Sequence, residues 1–198
     1  MNHYFDDNQH LKSNRKEISF RFWCFDYSFL SDNGVFSKDE IDEGSKVLLN
    51  AIKDADLGAK ILDLGCGYGT IGIILKKTYV DKDVWMVDVN SRALQLAEEN
   101  ALRNDVKATI IKSNIFDSIN DECFDSIITN PPIRAGKQVI YKMFKESYEH
   151  LHSKGCLYVV IRKSHGAKSA QKYIDEVFGN CEIIKKDQGY YILCAKKN

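Results

Sequence analysis

The chain has 198 residues, 44% apolar and 28% charged, and its 28 Lys and Arg balance 28 Asp and Glu to a net charge of zero. This is the composition of one folded domain with a sizeable core, and it excludes a disordered or collagen-like polymer. The longest apolar runs, 71–75 and 157–161, fall well below the roughly 18 residues that read as a bilayer span, so no membrane partner is expected.

The amino terminus, Met-Asn-His-Tyr-Phe-Asp-Asp, has neither the basic flank nor the apolar stretch of a secretory signal, which predicts a cytoplasmic protein. Cysteines at 24, 66, 123, 156, 181 and 194 form no CxxC pair and lie in apolar segments. They read as reduced core thiols rather than as a disulfide or zinc framework. The zero net charge hides an uneven distribution. Residues 1–130 carry 15 basic and 22 acidic side chains, a net of −7, whereas 131–198 carry 13 and 6, a net of +7. A basic segment on an acidic body is either a set of solvated helix faces or the footprint of a polyanion.

In chain order, the aromatic, partly alternating stretch 18–30 predicts strands, and Ser31-Asp32-Asn33-Gly34 a turn. Ser37 followed by Glu40 is a capping-box pattern, and Ile41, Val47, Leu48, Leu49 and Ile52 supply an inward face for a helix over 38–53. Strand and helix then alternate: strand 60–64, helix 70–77, strand 83–87, helix 91–104, strands near 108–112 and at 124–129, helix near 136–151, strand 157–161, helix near 168–178, and closing strands 181–185 and 190–195. Such alternation implies an α/β domain, a mostly parallel sheet with helices on both faces. Ligands of such sheets bind outside the carboxyl ends of the strands, where the strand order reverses.

The first strand of that series runs into Asp63-Leu-Gly65-Cys66-Gly67-Tyr-Gly69 and then a helix. Glycines there allow a tight turn and bring a ligand within contact of the main chain. Asp88, nineteen residues beyond Gly69 at the end of the next strand, can accept ribose hydroxyls. Gly67 to Gly72 also fits a dinucleotide fingerprint, but a carboxylate at Asp63 favours a ligand with an ammonium group over one with a pyrophosphate. The loop resembles the first motif of class I methyltransferases that use S-adenosylmethionine (SAM), acidic-x-Gly-x-Gly-x-Gly. By that likeness Asp63, Gly65, Cys66, Gly67 and Gly69 hold the methionine moiety, Asp88 the ribose, and Asn114 and Ile115, after the third strand, the adenine. It implies the Rossmann-like class I fold with seven strands over 37–198, preceded by a β-rich extension over 1–36.

The only two prolines, Pro131 and Pro132, directly follow Asn130 at the end of the strand 124–129. This is a stiff corner that presents carbonyls and one amide side chain. An exocyclic amine on a nucleobase is a poor nucleophile because its lone pair is delocalised into the ring. The Asn130 side-chain oxygen and the Pro131 carbonyl can hold its hydrogens and turn the lone pair toward a methyl donor, without a strong base. Asn-Pro-Pro-aromatic resembles methyltransferases that act on adenine N6, guanine N2 or glutamine, and here the fourth position is Ile133.

The longer string Thr129-Asn-Pro-Pro-Ile-Arg-Ala-Gly-Lys137, with Gly34-Val-Phe-Ser-Lys-Asp-Glu-Ile-Asp-Glu-Gly-Ser45 upstream, resembles the RsmC-like guanine-N2 methyltransferases of small-subunit ribosomal RNA. Likeness runs over about residues 34–198, supported by His3-Tyr4-Phe5 and Lys163-Ser-His-Gly-Ala-Lys-Ser169. It implies SAM as donor, no metal, guanine N2 as acceptor and RNA as partner, in a family whose members often carry two tandem halves. Phe36 is a candidate stacking ring for the target base, beside Pro132 and Ile133. Arg134, Lys137, Arg162, Lys163 and Lys168 are candidates for phosphate contacts. Alternatives left open are a methyltransferase for protein glutamine or DNA adenine, a nicotinamide-dependent oxidoreductase, and a non-catalytic SAM- or RNA-binding module.

Overall fold

The computed structural model describes residues 13–33, 35 and 41–198. Two antiparallel strands, β1 (Lys16–Phe22) and β2 (Phe25–Ser31), form an N-terminal hairpin. A seven-stranded sheet follows, of β3 (Lys60–Leu64), β4 (Asp83–Asp88), β5 (Thr109–Lys112), β6 (Phe124–Thr129), β7 (Leu151–Arg162), β8 (Glu182–Asp187) and β9 (Tyr190–Lys196). Its helices are α1 (Glu43–Ile52), α2 (Thr70–Thr78), α3 (Ser91–Arg103), α4 (Lys137–Glu149) and α5 (Ala167–Phe178). The strand order is β5-β4-β3-β6-β7-β9-β8; β9 pairs antiparallel with both neighbours, and the other pairs are parallel.

Both faces of the sheet are covered, which is why its central strands are nearly continuous apolar runs rather than alternating ones. Ile61, Met86 and Ile128 face a cluster with Leu48, Ile73 and Leu96 from α1, α2 and α3, which also takes in Tyr27 and Phe29 of the hairpin. Leu62, Val87 and Ile127 face the other cluster, with Phe144 of α4 and Ile174 of α5. The order reverses between β3 and β6, so the chain leaves these two neighbours in opposite directions and opens a crevice at their carboxyl ends.

Helix α1 starts at Glu43, with Asp42 as its cap: the carboxylate accepts from the Ser45 backbone N–H. The expected capping pair Ser37 and Glu40 lies outside the described residues. β7 is much longer than the apolar run 157–161, because its polar first half, His152 to Gly155, is carried by backbone pairing with the C-terminal strand, Lys154 N–H donating to the Lys197 carbonyl at 2.7 Å. Leu151 therefore belongs to β7, and α4 stops at Glu149. Of the six cysteines only Cys66 is buried, against the expectation of core thiols. Cys123 and Cys181 each sit one residue before a strand begins, where the chain is still near the surface.

The hairpin is joined to the domain by two carboxamides. Asn100 and Asn104, one turn apart at α3 and its C-cap, face β2 as a further strand would. Asn100 Oδ1 accepts from Leu30 N–H at 2.6 Å while its Nδ2 donates to the carbonyls of Leu30 and Tyr68, both at 2.9 Å. Asn104 repeats the pattern on Ser28, accepting from its N–H at 3.2 Å and donating to its carbonyl at 2.8 Å. Because Tyr68 lies in the glycine loop, fully buried Asn100 couples that loop to the hairpin. Asn100→Ala strands three backbone groups and is expected to cost about 2–4 kcal/mol, read as a lower midpoint in urea unfolding.

Candidate active site

The segment between β3 and α2 is built by three glycines with left-handed backbones, Gly65 (φ 77°), Gly67 (φ 57°) and Gly69 (φ 94°), which a side chain would strain. The N–H groups of Gly65 and Cys66 both donate to the Val87 carbonyl at 2.9 Å, tying the loop to the end of β4. Gly72 fills a different need. A Cβ there would lie 2.4 Å from Met86 Sδ, so this glycine lets α2 lie close against the sheet.

Two buried carboxylates flank the loop. Asp63 Oδ2 accepts from Gly72 N–H at 2.8 Å, and Oδ1 has no hydrogen-bond partner among the described residues. Burial pushes its pKa up to about 7, helped by the nearby charge of Asp88 and opposed by the Gly72 hydrogen bond. Asp88 Oδ2 accepts from Gly67 N–H at 2.8 Å and Oδ1 from Asn90 N–H at 2.9 Å. A carboxylate at the end of the second strand of such a unit is placed to accept ribose hydroxyls. Cys66 is buried beneath the loop, and burial first, then the two carboxylates, hold its thiol protonated.

These residues fit SAM. The unpartnered Asp63 oxygen can accept from the ammonium of its methionine part. At Gly65 a Cβ would meet nothing closer than Met143 Cε at 3.8 Å, so the main chain there is open to a ligand. After β5, Asn114 is exposed, and its amide donates to Asp117 Oδ2 at 2.9 Å in a tight turn. Ile115 has φ 58° and packs half-buried on the second cluster.

β3 and β6 bring the glycine loop and the proline corner together. Asp63 is in register with Ile128, and one residue further Thr129 Oγ1 donates to the Leu64 carbonyl at 2.8 Å. Gly65 and Asn130 therefore leave the sheet side by side. Pro131 is buried, Pro132 half-buried, and a short 3₁₀ turn, Ile133–Ala135, carries the chain toward α4. Ile133 packs against the second cluster rather than standing clear as a platform.

The Asn130 amide is held from α1: Nδ2 donates to Asp42 Oδ2 at 2.7 Å and to Ser45 Oγ at 3.1 Å. Tyr190, which opens β9, lies against Gly44 of the same helix, and its ring carries the Arg162 guanidinium at 5.3 Å. Arg134, Lys137, Arg162, Lys163 and Lys168 are all exposed; Arg162 ends β7, and the others lie on the segments that follow β6 and β7. Phe36 lies outside the described residues. Asp42, Ser45 and Thr129 stand in the strings that carry the resemblance, but no separate role is read for them there, nor any for Tyr190. Asp42-x-x-Ser45 carries the signal of a helix cap, but nothing local links it to an asparagine 88 positions away.

A mostly parallel sheet of this order, with a glycine loop and an acidic strand end at the reversal, is the class I methyltransferase architecture. The chain matches the methyltransferase small domain over residues 26–194 and belongs to that family, as a SAM-dependent methyltransferase. It is 43% identical to the uncharacterized protein YbxB of Bacillus subtilis, across 98% of both chains. It is 30% identical to ribosomal RNA small subunit methyltransferase C of Haemophilus ducreyi, across 89% of this chain and 55% of that one. Among solved structures it resembles the Thermus thermophilus 16S rRNA N2 G1207 methyltransferase RsmC, in complex with AdoMet and guanosine, with a TM-score of 0.85 and 25% identity over 95% of this chain and 52% of that one. The chain thus spans about half the length of the RsmC relatives it matches and nearly all of YbxB.

The raised Asp63 pKa gives SAM binding a pH dependence. Below about pH 7 the carboxyl is protonated and offers no charge to an ammonium. SAM affinity is therefore expected to rise about tenfold per unit as pH climbs toward 7, and to fall again above about 8 as the ligand's own α-amino group deprotonates. Titration calorimetry across this range checks it, and Asp63→Asn is expected to flatten the rising limb. Without ligand the sign reverses. The fold holds the Asp63 proton more tightly than the unfolded chain, so this residue lowers stability as pH rises from its ordinary value of 3.8 to about 7.

Proposed function

We propose that the protein transfers the methyl group of SAM to N2 of a guanine in RNA, with small-subunit ribosomal RNA as the substrate. The observation that carries this reading is the Asn130-Pro131 corner beside the glycine loop, joined to it through Thr129 and Leu64. Relatives named as small-subunit ribosomal RNA methyltransferases, and the similar fold described with guanosine, support the choice of acceptor.

SAM, when bound, supplies an electrophilic methyl carbon on a sulfonium. The chain's part is to place the acceptor. Asn130 Oδ1 and the Pro131 carbonyl accept the two hydrogens of the guanine amine, which sets its lone pair toward the loop side of the crevice. Two fixed acceptors also match the positive charge that builds on nitrogen as the bond forms, so orientation and preorganised dipoles supply the rate. The proton leaves afterwards, when the nitrogen is acidic. Asp63 and Asp88 anchor the donor, with Gly65, Cys66, Gly67 and Gly69 lining it and Asn114 and Ile115 beside the adenine. Pro132 and Ile133 bound the target base, Arg134 and Lys163 hold flanking phosphates, and Phe36 is kept from the sequence as the candidate stacking ring.

Incubation with labelled SAM and small subunits or naked rRNA lacking the modification is expected to place label in N2-methylguanine; label lost to protease, or found in methyladenine, would overturn the reading. Asn130→Ala is expected to reduce transfer at least about 100-fold with SAM affinity within about twofold of the parent. Raising salt from about 50 to 200 mM is expected to weaken RNA binding by orders of magnitude and leave SAM binding unchanged, and the double variant Arg134→Ala, Lys163→Ala to lower that salt slope by about 2.

A further inference from the structure

A primary amide has two faces of opposite character, one that accepts and one that donates. If Asn130 presented its NH2 to an incoming amine, donor would meet donor. The orientation must be enforced, and the proline corner does not enforce it, because the prolines restrain the backbone and not the side-chain amide torsion.

We propose that Asp42, acting with Ser45, is a positioning residue for methyl transfer that locks the Asn130 amide with its oxygen toward the acceptor. This rests on the reading of Asn130 given above. The carboxylate of Asp42 can only accept, and Oδ2 takes an amide hydrogen from Asn130 at 2.7 Å. The Ser45 hydroxyl could in principle act either way. Its proton is committed to Asp42 Oδ2 at 3.2 Å, so toward Asn130, at 3.1 Å, it too is an acceptor. Both amide hydrogens thus have partners on the α1 side, and a flipped amide would set its oxygen against a carboxylate and a lone pair. Oδ1 is left facing away from α1.

A second observation shows that the first turn of α1 is shaped for this. Gly44 lies between the two holding residues, in a backbone conformation open to any residue, and glycine disfavours a helix. A Cβ there would stand 2.9 Å from Asp42 Oδ2 and 2.9 Å from Tyr190 Cε1. Glycine at this position lets the carboxylate turn back toward Asn130 while the Tyr190 ring closes over the turn. Asp42 also caps the helix through Ser45 N–H at 2.8 Å, so one oxygen joins the start of α1 to the end of β6.

Two substitutions separate the cap from the lock. Asp42→Ser retains a good N-cap but is too short to reach Asn130, whereas Asp42→Asn retains a carbonyl oxygen that can serve both and removes only the charge. Asp42→Ser is expected to lower kcat about 10- to 100-fold with KM for the acceptor and Kd for SAM within about twofold, and Asp42→Asn to restore kcat to within about threefold of the parent. The ¹⁵N side-chain amide signal of Asn130, assigned by its loss in Asn130→Ala, is expected to keep its position in Asp42→Asn and to move to the shift of a solvated amide in Asp42→Ser. Parental kcat in Asp42→Ser, an unmoved Asn130 amide signal, or no recovery in Asp42→Asn would each overturn the proposal. The spectrum needs no acceptor, so an acceptor other than guanine would overturn the function proposed above while the lock is still decided, with kcat then compared on the acceptor found.

Discussion

The parallel pairing of β3 with β6 is the constraint on which the rest depends. Sheet order reverses at this pair, and the register that sets Asp63 beside Ile128 also decides which loop residues emerge next to each other. The Thr129 hydroxyl on the Leu64 carbonyl extends the pairing by one residue past the ladder, into the ends of the strands. A slip by one would turn Asp63 and Thr129 to the opposite faces of the sheet. The apolar faces of Ile61, Leu62, Ile127 and Ile128 resist such a slip, since each is fully buried in one cluster or the other.

Charge is spent unevenly across the molecule, and the geometry shows to what end. Two carboxylates are buried within one crevice, each held by main-chain N–H groups of the glycine loop or the adjoining helices, and Asp63 is left with an oxygen unmatched among the described residues. That arrangement destabilises the empty fold and is tolerable only because the surrounding sheet over-determines it. The positive side chains lie at the end of β7 and on the segments after β6 and β7, and remain exposed, Arg162 over the Tyr190 ring and Lys137 over Tyr141. The neutral total therefore conceals a local separation, with two acidic side chains in the interior site and cations along the rim.

Much of this was legible in the residues. The strands at 60–64 and 124–129 have the observed bounds, because a buried parallel strand is a short apolar run closed by glycine or proline. The inward face of α1 followed from helical spacing, with Ile41 buried just before the helix begins. What escaped depends on pairing between distant segments. The polar start of β7 is a strand only because a ladder partner at the C-terminus makes it one. Asp42 reads locally as a cap and only in the fold as a neighbour of Asn130, while nothing near Asn100 and Asn104 in the sequence links them to β2. The loop glycines were legible as a group, yet the separate role of Gly72 required the position of Met86.

Those two carboxamides on α3 have a consequence for how the protein behaves at high concentration. An unpaired strand edge is a template on which another chain can add, and a two-stranded hairpin has two such edges. The carboxamides occupy main-chain groups of Ser28 and Leu30 on the outer side of β2 with side chains that cannot propagate a ladder. Among the described residues the hairpin's other edge is β1, which carries the charged residues Lys16, Glu17 and Arg21. One edge is thus closed chemically and the other guarded electrostatically, so an aromatic-rich hairpin can sit on the domain without seeding cross-chain sheets.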